Sequence, residues 1–430
     1  MYKRQLSELS REISAEEGEE EIGERGSEKV VKGYKVVLPS GEIIDYKELD
    51  VKKYPNVKII IDDEEGKRPE KEGEPVHIKI AKRLEIGERE PVSDAGCLRF
   101  WPFGAFIKQI IRDLAWEHFV VKQGGYPIGT PIIVRKDDPG VAWLVNHFPE
   151  RHYKVLPGKE EKAVKLFLKT AGDYACFSIF RDMTVSYKNL PIGLYEDELY
   201  DHRYEQRGEL CGMYRIRCFE MHNIHTIAKD EKQAFEVFVK SFESQIKIFE
   251  KLGIKPDGFI FFVLERMFSD MHKEYLKKLA KETGVPVVVQ LLENVAMYMH
   301  AWIDFLVLDS LGRPMEIGTS QIDSHSPKHW GMKFKDTDNK DKVPFLNHAG
   351  FGSERTIAAL LEQMARNKNP TFPLWLSPVQ VRLCPVNDSF IEYCEEIADK
   401  LEKENIRVDI DLSLIHISEP TRLGMISYAV

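Results

Sequence analysis

Residues 230–253 spell out one amphipathic helix with both ends marked, and this segment narrows the fold more than any other. Asp230 and Gln233 are spaced as a capping box, which satisfies backbone N–H groups that a helix start leaves without partners. Phe235, Phe238, Phe242, Ile246 and Phe249 follow at helical spacing, and Gly253 is placed to stop the helix. The flanking chain supplies strands. Residues 258–264 and 285–292 are short apolar strands on either side of an amphipathic helix at 270–283. Residues 299–308 and 314–323 form a hairpin across 309–313. Upstream, 103–121 is apolar at helical spacing, Gly124 and Gly125 end it, and 126–134 is extended, with Pro131 near a sheet edge. Residues 164–183 are predicted mostly helical, and 194–203 and 213–225 read as two strands joined by a charged loop. Another helix runs from 353 to 364, and after a linker at 367–373 the segments 379–386, 389–403 and 408–410 read β-α-β. This order predicts an α+β chain, a large mixed and mainly antiparallel sheet with flanking helices, followed by the start of an α/β domain.

The N-terminal region is less patterned. Residues 35–38 and 43–46 suggest a small hairpin around Pro39-Ser40-Gly41, and 51–95 reads as a connector rich in charge, proline and glycine. The acidic stretch at 16–21 has too few apolar groups to offset the entropy of ordering. Residues 1–5 and the tail from 412 resemble translated sequencing-adapter segments, so the natural protein is expected to continue past both ends. The six cysteines are scattered with no CxxC pair, which reads as reduced thiols of a cytoplasmic protein and excludes a disulfide-framework domain. No run of about 18 apolar residues is present to span a membrane. With a net charge of −9, any nucleic-acid partner must be met by local basic surface.

The charged loop carries the first candidate chemistry. In residues 202–210 (HRYEQRGEL), Arg203 and Arg207 alternate with Glu205 and Glu209, and Arg215 and Arg217 follow. One reading is a solvated hairpin whose charges pair with each other. The other is a strand pair that presents arginines to a polyphosphate, because a planar guanidinium binds phosphate oxygens in pairs and stays charged. Arg355 lies in GFGSER (350–355), where glycines lead into a helix. That turn either caps a buried helix or places backbone donors at an anion.

Arg203 and Glu205 on a strand-loop-strand, with Arg215, Arg217 and Phe219 after them, resemble motif 2 of the class II aminoacyl-tRNA synthetases. GFGSER with its apolar helix resembles motif 3, and the helix at 103–121 with the strand carrying Pro131 resembles motif 1, the dimer interface of that class. Within the class, SYKNLP (186–191), RYEQRGEL (203–210), MHNIHT (221–226), GTSQID (318–323) and TFPLWLSPVQV (371–381) are similar to archaeal-type threonyl-tRNA synthetases. The resemblance spans 33–411. It divides the chain into an acidic or artefactual leader (1–32), a hairpin and connector (33–95), a catalytic domain (96–370), a partial anticodon-binding domain (371–411) and an artefactual tail (412–430).

The resemblance also implies a function, threonine–tRNA ligation, with ATP, threonine and tRNA(Thr) as partners, Mg2+ accompanying ATP, and a homodimer. Arg203 would contact the α-phosphate and Arg355 the γ-phosphate, with Arg215 as an additional phosphate contact. Glu205 would hold the adenine amino group, Phe219 would stack on the base, and Glu316 and Thr319 would complete the ATP site. Asn223 and Gln321 would meet threonine, although the family carries aspartate where Asn223 stands. The family binds a catalytic zinc through one cysteine and two histidines, which implies Cys176, His225 and His348 here. Taken singly, Cys176 reads equally as a buried apolar residue and His225 as a core histidine, and the family spacing for the third ligand points nearer Leu346. Such a zinc keeps an open position for the amino and hydroxyl groups of threonine, which valine cannot match. The alternative is a synthetase-like regulatory or RNA-binding protein without activity.

Overall fold

A computed structural model describes residues 29–69, 73–156, 165–294, 298–367 and 371–414. The acidic stretch, the first five residues and nearly all of the tail lie outside the described residues. The core is a sheet of ten strands, numbered in chain order: β1 (Val31–Val37), β2 (Ile43–Asp45), β3 (Tyr126–Pro127), β4 (Ile192–His202), β5 (Cys218–Ala228), β6 (Gly258–Leu264), β7 (Val287–Leu292), β8 (Met299–Leu308), β9 (Pro314–Asp323) and β10 (Phe345–Gly352). Their order across the sheet is β2-β1-β7-β6-β8-β9-β10-β5-β4-β3. Only β6–β7 and β3–β4 pair in parallel, so the sheet is mainly antiparallel as expected.

The helices that matter for the site are α1 (Pro102–Ala115), α2 (Asp173–Asp182), α3 (Glu231–Leu252), α4 (Asp270–Thr283), α5 (Ser353–Ala365) and α6 (Ile391–Lys403). The capping signals around α3 operate. The Asp230 carboxylate accepts from the Gln233 N–H at 2.8 Å, and the Gln233 amide oxygen accepts from the Lys229 N–H at 3.0 Å. Gly253 closes the helix at φ 83°, in the left-handed region that favours glycine. The aromatic stripe of α3 buries against the sheet, joining Ile303, Phe305 and Phe351 in the largest apolar cluster.

The opposite face of the sheet carries two separate apolar clusters. One surrounds α2 and includes Leu194, Ile227 and Leu346, and the other includes Ile260, Phe262, Trp302 and Leu306. Alternate residues of a strand point to opposite faces, so a single strand feeds both layers. Polar residues occupy this face between the two clusters.

Several expectations differ from what formed. The connector at 51–95 holds two helices, Pro55–Glu64 and Val76–Arg83. The first is helical because Val57, Ile60 and Ile61 bury one stripe against Ile260 and Phe262, a pattern hidden among charges. The N-terminal hairpin exists, but β1 pairs along β7 and so extends the main sheet. The segment expected helical from 164 instead contains a strand, Leu166–Leu168, in a small three-stranded sheet, and α2 begins only at Asp173. Segment 126–134 splits into β3 and a separate strand, Ile133–Arg135. The β-α-β expectation after 371 is met by Val381–Leu383, α6 and Val408–Ile410, whose strands pair in parallel.

Candidate active site

The register of four antiparallel strand pairs decides which polar side chains meet, because directly paired residues share a face. Glu196, Asn223, Gly350, Thr319 and Asp304 form one row across β4, β5, β10, β9 and β8. Leu194, His225, His348, Gln321 and Trp302 form the adjacent row. Asn223, Thr319, Gln321, His225 and His348 thus converge on one face from three strands distant in sequence. Glycine at 350 makes room for this. A Cβ there would lie 1.9 Å from Asn223 Oδ1 and 2.8 Å from the His222 carbonyl oxygen. The Thr319 hydroxyl donates to Asp304 Oδ1 at 2.7 Å, and the Gln321 amide donates to Thr319 Oγ1 at 3.4 Å.

Beyond the end of β4, the loop to β5 folds over a single turn, Arg207–Glu209. The buried Glu205 carboxylate lies 2.6 Å from Arg151, 3.0 Å from Arg215 and 3.3 Å from Arg203. Glu209 meets Arg151 at 2.5 Å and Arg215 at 3.3 Å, and its hydrogen bond from Arg151 holds its carboxyl well below the usual range. Arg151 is absent from the sequence-based site. It arrives from the turn Pro149–Arg151, a stretch whose neighbours carry no motif. Arg355 sits over the Tyr214 ring at 5.0 Å, donates to the Tyr214 and Glu316 carbonyl oxygens at 3.2 Å each, and lies 3.4 Å from Glu316 Oε2. Burial, together with the charges of Arg151, Arg355 and Arg215, outweighs Glu205 and lowers the pKa of the Arg203 guanidinium. Phe219 opens this end of β5, half-buried and paired with Asp201.

Further along the same face, Asp173 begins α2 beside the facing pair His225 and His348. Among the described residues these three place one donor atom each within 4.8 Å of one another. Asp173 Oδ1 lies 3.0 Å from His225 Nε2 and 3.6 Å from His348 Nδ1, and His348 Nε2 lies 3.1 Å from Asp323 Oδ2. Burial alone would raise the Asp173 carboxyl, yet hydrogen bonds from His225 and His348 hold it well below the usual range. Burial would likewise lower His348, but hydrogen bonds to Asp173 and Asp323 push it up to about 9.

Cys176 is not one of the three. It lies one turn after Asp173, buried among Phe177, Phe180 and Leu346, and burial pushes its thiol well up. Of the Cys176–His225–His348 set implied by resemblance, His225 and His348 face each other across β5 and β10, while Cys176 lies on α2 outside the three-donor cluster. Sequence reasoning started the helix at 164, so it could not identify which residue opens the first turn above His225.

A second acidic group lies nearby. Glu198 and Asp201 are fully buried, Lys169 Nζ is 3.6 Å from Glu196 and 3.9 Å from Asp201, and burial pushes the Glu198 and Asp201 carboxyls up. Gly172 permits this packing, since a Cβ there would lie 1.5 Å from Glu198 Oε1.

Residues 153–364, which hold both rows and both arginine loops, match the tRNA synthetase class II core domain (G, H, P, S and T). The chain belongs to the class II aminoacyl-tRNA synthetases. It is 34% identical over 418 residues to a threonine–tRNA ligase of Thermococcus kodakarensis, covering 94% of this chain and 66% of that protein. It is 32% identical over 394 residues to one of Nitrosopumilus maritimus, covering 90% of this chain and 63% of that protein. The chain thus spans just under two thirds of the length of these curated relatives. Among solved structures, a prolyl-tRNA synthetase from Giardia lamblia in complex with prolyl-adenylate aligns at TM-score 0.65 and 18% identity, over 82% of this chain and 67% of that one. The RNA binding domain of threonyl-tRNA synthetase from Cryptosporidium parvum aligns at 0.66 and 20%, over 82% and 86%. These likenesses establish the synthetase fold. No described helix is long and apolar enough to cross a membrane.

Proposed function

We propose that this chain is the catalytic portion of a threonine–tRNA ligase, acting in the cytoplasm on ATP, threonine and tRNA(Thr). The observation that carries the reading is the shared face. The arginine loop and Arg355 stand at one end of it, and Asn223, Gln321, His225 and His348 stand in adjacent rows at the other. An ATP laid along the face would bring its α-phosphate to Arg203 and its distal phosphates towards Arg355. Glu205 and Phe219 would take the base, and Glu316 and Thr319 would border the nucleotide.

The threonine carboxylate attacks the α-phosphorus in line, an oxygen–phosphorus bond forms, and pyrophosphate leaves with the electrons of the broken bond. Arg203 and Arg215 steady the charge on the crowded phosphate, so positioning and electrostatics supply the acceleration. Mg2+ carried with ATP spreads charge over the phosphates. A terminal ribose hydroxyl of tRNA then attacks the adenylate carbonyl, and AMP leaves. Residues 371–411 begin an anticodon-binding domain, and α1 with the exposed Trp101, Phe103 and Trp116 supplies a homodimer face.

Threonine-dependent exchange of pyrophosphate into ATP tests the reading, with serine and valine as comparison substrates. Absence of exchange with a folded chain overturns it. It then favours a synthetase-like RNA-binding or regulatory protein, a reading that draws on Asn223 and on the shifted position of His348.

A further inference from the structure

The strand end that carries Phe219 and the helix that carries Arg355 are joined by a buried ion network. β10 ends at Gly352, opposite Met221, while β5 extends past it to Cys218. The Glu220 N–H beyond that end is taken by Glu354 Oε2 at 3.0 Å. A side chain from the first turn of α5 thus replaces the strand that β5 has lost. Two cations of α1 close the network. Lys108 Nζ lies 2.9 Å from Glu220 Oε2 and 2.7 Å from Glu354 Oε1, and the Arg112 guanidinium donates twice to Glu220 Oε1, at 3.0 and 2.8 Å. Both carboxylates are buried, and Lys108 is nearly so. Burial alone would lower the Lys108 pKa, yet the charges of Glu354 and Glu220 outweigh it and raise it, so the bridge stays charged. Buried networks of this kind add little net stability over apolar packing, and their best-attested use is to fix one register. The register fixed here is that of Phe219 and Arg355, each the sequence neighbour of a network carboxylate.

We infer that Lys108 is a positioning residue for ATP, whose ammonium, held between Glu220 and Glu354, sets the distance between Phe219 and Arg355. The inference rests on the reading proposed above, in which Phe219 takes the base and Arg355 the distal phosphates. Lys108 acts only through its two carboxylates. The fold has a second tie at this point, His222 Nε2 to Ser353 Oγ at 2.8 Å, so loss of Lys108 shifts the first turn of α5 without releasing it. A nucleotide that spans both groups feels their separation, and one that lacks the distal phosphates does not. The effect therefore falls on ATP and spares AMP.

Equilibrium binding of ATP and of AMP to the full chain, without threonine, tests this. Lys108→Met is expected to weaken ATP roughly tenfold, as a small misplacement of a binding group does, and to leave AMP nearly unchanged. Lys108→Arg is expected to recover most of the ATP affinity, because a guanidinium also spans two carboxylates. The double variant Lys108→Met with Glu354→Gln guards against misfolding. It leaves no network charge unpaired, since Arg112 still meets Glu220, and the substituted amide still accepts the Glu220 N–H. Its midpoint in urea unfolding is expected near that of the unaltered chain, while its ATP affinity stays low. Equal weakening of ATP and AMP, no change in either, or full recovery of ATP binding in the double variant overturns the inference. In the unaltered chain, ATP binding without threonine-dependent pyrophosphate exchange overturns the ligase reading alone, and failure to bind ATP overturns both.

Discussion

His77 Nδ1 donates to Glu362 Oε1 across 2.7 Å, and both side chains are buried. The tautomer is set by the other ring nitrogen, which accepts the Met213 N–H at 3.2 Å. The end of the Arg355 helix is thereby tied to the loop that carries Arg215. His77→Ala leaves the Met213 N–H without its partner and reduces Glu362 Oε1 to the backbone N–H of residue 77 at 3.0 Å. It is expected to cost about 2–3 kcal/mol in urea unfolding and to raise the KM for ATP. An unchanged unfolding midpoint would show that the loop is held by other contacts.

Arg151 bridges Glu205 and Glu209, the two carboxylates that orient Arg203 and Arg215. Arg151→Ala frees Glu205 to pair more tightly with Arg203 and so draws that guanidinium away from the phosphate. The expected loss is roughly tenfold in kcat/KM for pyrophosphate exchange, about 1.4 kcal/mol of transition-state stabilisation. Arg151→Lys is expected to recover only part of it, because an ammonium cannot span both carboxylates with a fixed fork. Full recovery by lysine would reduce the role of Arg151 to charge alone.

What the sequence revealed follows from how local each signal is. The caps of α3, the apolar runs of β6 and α4 and the hairpin β8–β9 are written within a few residues each, and they formed where expected. Asn223, His225, Thr319 and Gln321 were legible through motif resemblance, which already encodes long-range register. Arg151 and Asp173 were not. Each acts through a partner more than fifty positions away, Glu205 for Arg151 and His225 for Asp173. No periodicity of a short segment reports such a pairing.

His272 offers a pH readout remote from the site. Burial holds its pKa down to about 4, and its Nδ1 accepts from the Ser269 N–H at 3.2 Å, capping α4 in the neutral form. The unfolded chain takes up this proton near pH 6.5, the folded chain only near 4. The stability that His272 contributes is therefore complete above about pH 6.5 and falls as the pH drops towards 4. The loss approaches about 3 kcal/mol, from a shift of roughly two to three units at 1.36 kcal/mol each. Unfolding free energies of the unaltered chain and of His272→Gln, measured from pH 7 to pH 4, are expected to converge on acidification. A constant difference across that range would contradict the buried neutral ring.

Gly350 is the point at which sheet register and substrate recognition meet. It stands between Asn223 and Thr319 in the first row, and its lack of a side chain is what lets the Asn223 amide lie over β10. In Gly350→Ala the new methyl would fall 1.9 Å from Asn223 Oδ1 and 2.8 Å from the His222 carbonyl oxygen. The side chain can rotate away, but the backbone oxygen cannot, so β5 must shift slightly from β10. Overpacking of this kind costs about 1–3 kcal/mol, read as a lower thermal midpoint. The larger effect is expected on the amino acid: KM for threonine should rise by roughly tenfold or more, while KM for ATP, which depends on Arg203 and Arg355 further along the face, should change far less. Equal rises in both would place Asn223 outside threonine recognition and make Gly350 a packing residue only.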